Sequence, residues 1–272
     1  MSRSLLVVVA VIALATPAAG QDSLRLFAAG SLRAALTEAA EVYGQTYGAE
    51  VETAFGASGL MRERIGGGDR PDVFASANMA HPQALAAAGL GGPVVLFARN
   101  RLCVLAQPGV AVTSATLLDV LLDPAVRVGM STPGADPSGD YAWDLFERAE
   151  ALRPGALAAL DEKALQLTGG PDSPKPPAGR NNYAWVMDEG RADLFLTYCT
   201  NARLARAESP SLQEIAIPED LAVGADYGLI VLAPERPEAW RLAAFVLAPE
   251  GQGILQSYGF SVGGLPAEGG AE

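Results

Sequence analysis

Beyond residue 23 the chain alternates short apolar runs with stretches whose apolar residues recur every three or four positions. Residues 24–28 read as a strand. Residues 32–43 follow with Leu32, Leu36, Ala39, Ala40 and Tyr43 at helical spacing. A second strand is predicted over 50–55 with a helix beginning at 60–65, and a third strand over 72–76 with a helix over 82–88. This alternation implies a mostly parallel sheet covered by helices, with right-handed crossovers. Residues 96–106 form a longer extended run, broken by the polar Arg99-Asn100-Arg101, and read as a segment crossing between domains. A second series follows, with strands at 126–130, 165–168 and 194–198 and helices at 141–151 and 183–189. The apolar run 227–233 can cross back, and 240–247 and 251–258 read as closing helices. Residues 169–182 hold four prolines and are predicted as a loop.

The fold class expected from this pattern is α/β. Two lobes with mixed, mostly parallel sheets are joined by two crossing segments. Lobe I takes residues 21–98 plus 228–272, and lobe II takes 99–227.

The first 20 residues have a different character. Arg3 precedes an apolar run over 5–15, and Ala18-Ala19-Gly20 supplies small residues for cleavage. This reads as a secretory signal peptide cut near Gly20, and the run is shorter than the roughly 20 apolar residues that span a bilayer. The mature chain is therefore expected to be exported. Its hydrophobic content of 50% with 18% charged residues is that of a globular protein. A net charge of −12 argues against nucleic acid and anionic membranes as partners, so any anion site must work through local, buried donors. Cys103 and Cys199 can form one disulfide in an oxidising compartment or remain two buried thiols.

Candidate chemistry lies at three strand-to-helix turns: Ala29-Gly30-Ser31-Leu32, Gly56-Ala57-Ser58-Gly59 and Asp136-Pro137-Ser138-Gly139. Each places Ser and Gly where a helix begins. Backbone N–H groups there lack intrahelical partners, and the helix dipole adds positive potential. Glycine admits a ligand close to the backbone, and a serine hydroxyl adds a donor. For any one such turn, capping is the ordinary explanation. Three of them, at the carboxyl ends of strands, point to an anion cradle.

These motifs carry a resemblance. Phe27-Ala28-Ala29-Gly30-Ser31-Leu32, Phe55-Gly56-Ala57-Ser58-Gly59, Pro71-Asp72-Val73-Phe74-Ala75-Ser76-Ala77 and Asp136-Pro137-Ser138-Gly139-Asp140-Tyr141-Ala142 resemble the periplasmic molybdate-binding proteins of ABC transporters. So do Leu247-Ala248-Pro249-Glu250-Gly251-Gln252 and Tyr258-Gly259-Phe260 near the end. The resemblance implies a type II periplasmic-binding-protein fold and capture of molybdate or tungstate between the lobes. It also implies an ABC transporter permease as partner, periplasmic location and no enzymatic activity. No cofactor is expected, metal enters only as the oxyanion, and the chain is expected to be a monomer. Position by position, Ser31 and Ser58 match the two first-domain serines that donate to the oxyanion. Ser138 matches a backbone donor and Tyr198 the binding tyrosine. A further backbone N–H falls near Arg180 or Asn181.

The chain departs from that family at Gly179-Arg180-Asn181-Asn182-Tyr183, where a short apolar segment is usual. An arginine aimed into the cleft would pair with an oxyanion or carboxylate. A different oxyanion or small organic acid gripped by Arg180 is thus the alternative ligand, and an Arg180 facing solvent leaves the family pattern intact. Thr200 and Asn201 can reach the site or cap a turn. A third reading is a secreted serine hydrolase using Ser58, with His81 as its base. Gly56-Ala57-Ser58-Gly59 falls short of the nucleophile elbow, however, and His81 is expected at the surface or as a cap. Trp143, Trp185 and Trp240 sit in helical patterns and are expected to pack in the core.

Overall fold

A computed structural model describes residues 23–261. The leader predicted at residues 1–20 lies outside them. In chain order the elements are β1 (Leu24–Ala29), α1 (Arg33–Tyr47), β2 (Val51–Gly56), α2 (Ser58–Gly66), β3 (Val73–Ser76), α3 (Ala80–Ala87) and β4 (Val95–Ala106). Then come α4 (Leu117–Leu122), β5 (Val128–Ser131), α5 (Pro137–Leu152), α6 (Ala156–Lys163), β6 (Leu165–Thr168), α7 (Asn182–Asp188) and β7 (Leu194–Tyr198). The described chain closes with α8 (Cys199–Glu208), β8 (Gln213–Ala216), β9 (Gly224–Val231), α9 (Pro237–Leu247) and α10 (Pro249–Ser257).

The strands lie in the order β2-β1-β3-β9-β4-β7-β5-β6, with β8 also on β4. The outer trios β2-β1-β3 and β7-β5-β6 are parallel, and the centre is antiparallel. Strand β4 serves both halves. Its residues through Arg101 pair with β9, and from Leu102 onward it pairs with β7 and β8. The polar Arg99-Asn100-Arg101 interruption therefore sits where the strand passes from one half to the other.

Parallel strands need helices on both faces, and the burial follows that rule. In the first half, Leu32, Leu36 and Tyr43 cover one face of β1, while Met61, Ile65 and Leu85 pack with Phe27, Phe74 and Ile230 on the other. In the second half, Leu145, Phe146 and Leu160 cover one face, and Ala184, Met187, Ala202 and Ala205 close over Leu105 and Phe195 on the other. Each fully buried Phe or Leu contributes about 1.5–3 kcal/mol relative to exposure. The small residues of α8 let it lie close on β4, where Cys103 and Cys199 form a disulfide with Cα atoms 4.8 Å apart. The buried Asp72 carboxylate ties the first half together: it accepts from the Arg25 N–H at 2.7 Å and from Arg236 at 2.8 Å.

The structure adds α4, α6, α8 and β8 to the elements read from the pattern. His81 is buried rather than at the surface. Trp240 is exposed rather than in the core, because it lies on the outer face of α9 and only its ring edge leans over Gly92.

Candidate functional site

The carboxyl ends of β1, β2 and β3 face those of β5 and β7 across the gap between the halves. A cavity of about 30 Å³ lies there, lined by Gly30, Ser31, Gly56, Ser58, Ala77, Asp136, Tyr183, Tyr198 and Asn201, with Ala29 behind. It opens toward a larger groove of about 770 Å³, whose walls include Arg33, Lys175, Arg180, Asn181, Leu204 and Glu208. A single water needs about 10–15 Å³, so the space suits one small ion.

The polar groups around the cavity come from both halves. Ser31 follows β1 in the 3-10 turn Gly30–Leu32. Its hydroxyl is 2.9 Å from the Tyr227 hydroxyl, which in turn accepts from Asn100 at 3.3 Å. Asn100 also donates to Thr200 at 2.8 Å, so the network runs from β1 through β9 and β4 into α8. Ser58 is the first residue of α2, and its Oγ accepts from the Ala77 N–H at 3.1 Å. That leaves the Ser58 O–H as a donor. Tyr198 ends β7, is fully buried, and its hydroxyl reaches Ala77 O at 3.5 Å. Burial pushes the hydroxyls of Tyr183, Tyr198 and Tyr227 well above the usual tyrosine range, so all three remain neutral donors.

The halves touch directly beside the cavity. The Gly59 N–H, in the first turn of α2, donates to Ala135 O at 2.8 Å. A Cβ at Gly59 would lie 2.5 Å from Gly134 O and 2.7 Å from Ala135 O, so only glycine permits this approach.

Three of the six residues expected to bind ligand, Ser31, Ser58 and Tyr198, meet in the cavity. Ser138 is fully buried outside its lining. Its N–H, expected to serve the ligand, instead donates to Asp136 Oδ1 at 3.0 Å, and its Oγ has no partner among the described residues. Arg180 lines the larger groove and is held by Glu208 at 2.5 Å and Asp188 at 2.6 Å. Its N–H donates to Pro177 O. The Asn181 N–H donates to Glu208, while its side chain caps α7 by accepting from the Tyr183 and Ala184 N–H groups. Asn201 does line the cavity, and Thr200 supports Asn100; neither caps a turn, because a helix begins at Cys199.

Sequence reasoning missed Asp136, Tyr183, Tyr227 and Asn100. Asp136 matters most, since it is the acidic residue that lines the cavity. Burial raises it to about 6, and the charge of Asp140 adds to the rise; the Ser138 N–H and Ser131 hydroxyl oppose it. The signal was Asp-Pro at a helix start, a capping residue followed by the proline favoured at the first helical position.

The hydrolase reading loses its base. The His81 Nε2 has no hydrogen-bond partner among the described residues, and burial lowers its basicity. The one cluster of metal-ligating side chains among those residues, Cys103, Cys199 and Glu214, has both sulfurs joined in the disulfide.

Residues 24–261 match the family described as bacterial extracellular solute-binding protein. The chain is 39% identical over 246 residues to the uncharacterized protein PM1146 of Pasteurella multocida, covering 90% of this chain and 99% of that one. It is 33% identical over 254 residues to the molybdate-binding protein ModA of Mycobacterium tuberculosis, covering 91% and 87%. Among solved structures, the periplasmic molybdate-binding protein of Azotobacter vinelandii aligns with a TM-score of 0.69 at 17% identity, over 90% of this chain and all of that one. The sulfate-binding protein SubI of Mycobacterium tuberculosis aligns with a TM-score of 0.69 at 18% identity, over 88% and 86%. At such identities the two structures speak to fold alone: the mixed α/β, two-lobed architecture of periplasmic binding proteins.

Proposed function

The chain belongs to the bacterial extracellular solute-binding proteins, and on that premise we propose that it captures a small tetrahedral oxyanion, molybdate or tungstate, between its two lobes. The permease of an ABC importer is then its partner, in the periplasm, and the chain acts as a monomer. The observation that carries this reading is the cavity of about 30 Å³ into which Ser31, Ser58 and Tyr198 converge from opposite halves. Neutral hydroxyls and the start of α2 can replace part of an oxyanion's hydration shell without a cation. A hydrogen bond to a charged group contributes about 1.5–3 kcal/mol, so three supply about 4.5–9 kcal/mol before the costs of closure. Micromolar affinity needs about 8 kcal/mol, which additional backbone donors bring within reach.

Residues 21–98 with 228–272, and residues 99–227, are the two bodies proposed to close about β4 and the start of β9. The test is a thermal-shift panel of molybdate, tungstate, sulfate, phosphate and small carboxylates on purified protein. Molybdate and tungstate at low micromolar concentration should raise the melting temperature by ligand linkage. Stabilisation by another solute, with no response to either, would refute the assignment.

A further inference from the structure

A carboxyl group in a cavity built for an anion has a chemical consequence. Asp136 lines both the small cavity and the groove that leads to it. Its place is built in: Gly169 opposite it has φ of 78°, and a Cβ there would stand 2.6 Å from Asp136 Oδ2. Oδ1 is held by the Ser138 N–H at 3.0 Å, which fixes the carboxyl's orientation. The other groups acting on it are the Ser131 hydroxyl and the negative Asp140, and none is a cation. Tyr183 and Tyr198 line the cavity with it, and the Tyr227 hydroxyl lies 2.9 Å from Ser31 Oγ; all three are neutral. In the adjoining groove Arg180 is neutralised by Glu208 and Asp188, leaving Arg33 and Lys175 as the nearest cations on its walls. Two like charges held close together repel, and a proton on the carboxyl removes that repulsion.

We propose that Asp136 is a proton-dependent ligand gate: it binds the oxyanion as the neutral acid, donating its hydrogen bond to a ligand oxygen, so that each oxyanion captured takes up one proton. This deepens the oxyanion reading and rests on it. Asp136 ordinarily titrates near 3.8 but here at about 6, and a bound dianion raises it further. Affinity is thus full below about pH 6 and falls tenfold per unit above it. For an anion that stays fully ionised, the dissociation constant should rise about 50-fold between pH 6 and pH 8.

The test is isothermal titration calorimetry of the wild-type protein with molybdate and with sulfate, neither of which titrates over that range. Buffers of different ionisation enthalpy at pH 7.5 give the proton count directly. The proposal expects close to one proton taken up per anion bound. It also expects Asp136→Asn, which keeps the oxygen that accepts from Ser138, to bind with no uptake and a flat pH profile. Binding by the wild type without proton uptake, at an affinity that does not vary with pH, overturns this proposal and leaves the oxyanion reading standing. Failure of every oxyanion in the thermal-shift panel to bind overturns both. The wild-type proton count needs no variant, so a poorly folding Asp136→Asn does not spare the proposal.

Discussion

Gly59→Ala isolates lobe closure from everything else at the site. The Gly59 N–H bond to Ala135 O crosses between the halves, and a methyl group there would meet two backbone oxygens at 2.5 and 2.7 Å. Backbone oxygens cannot rotate away as a flexible side chain would, so the halves must back off by about half an ångström. The cross-half hydrogen bond is then weakened or lost, at about 0.5–1.5 kcal/mol. Overpacking of this size adds about 1–3 kcal/mol. Together these amount to about 1.5–4.5 kcal/mol of closure energy, or about 10- to 2,000-fold in Kd. Within α2 the same change is mildly favourable, because alanine is the better helix former. Calorimetry with the oxyanion that gives the largest thermal shift should therefore show greatly weakened binding, while the ligand-free melting temperature stays within a few degrees of wild type. A Kd within threefold of wild type would refute the reasoning, since it would mean that the bound state does not use this contact.

Tyr198→Phe removes one hydroxyl from the cavity while keeping the packed ring, and should weaken oxyanion binding about 10- to 150-fold by calorimetry, with near-normal stability. Arg180→Ala should leave the Kd within about threefold, because the guanidinium is already committed to Glu208 and Asp188; loss of binding would revive an arginine-gripped ligand. Replacing Cys103 and Cys199 together by serine removes a cross-link spanning 96 residues and should cost about 2–5 kcal/mol in chemical denaturation. Asp136→Asn offers a test free of ligand. The native carboxyl titrates at about 6 rather than 3.8, so the folded state binds more protons than the unfolded state in that window, and stability falls as pH rises through it. The asparagine variant should match wild type near pH 4 and exceed it by up to about 3 kcal/mol at pH 8, measured by denaturant melts.

Much of the architecture was legible because its strands carry unambiguous signals. Leu24–Ala29 and Leu194–Tyr198 are buried almost throughout, as strands covered on both faces must be, and each is bounded by small or polar residues. The elements that escaped had weak signals for identifiable reasons. Helix α8 buries Cys199, Ala202 and Ala205, residues too small to mark an apolar stripe, and its first turn holds a Thr-Asn pair that reads as a turn. Helix α4 is six residues of nearly unbroken apolar character, which periodicity cannot assign to helix or strand. Burial of His81 left no trace at all in its neighbours. It follows from the packing of α3 against the sheet, a tertiary fact.

The site was legible to the extent that each turn's local chemistry marked its place at the cavity. Ser31 and Ser58 sit on turns whose glycines keep the wall open, and the structure brings both to the cavity. The second-half turn differs from the other two in that Asp136 Oδ1 holds the Ser138 N–H. A capping aspartate and a bound oxyanion compete for the same N–H groups, so the first residue of the motif reverses the meaning of the next three. With Asp136 ionised, the first-half turns favour an anion and the second-half turn disfavours it. With Asp136 protonated, that opposition disappears and the carboxyl becomes a donor. The protonation state of one side chain therefore decides whether the two halves cooperate on the same ligand, and that is why the proton count on binding is the measurement with most to say about this site.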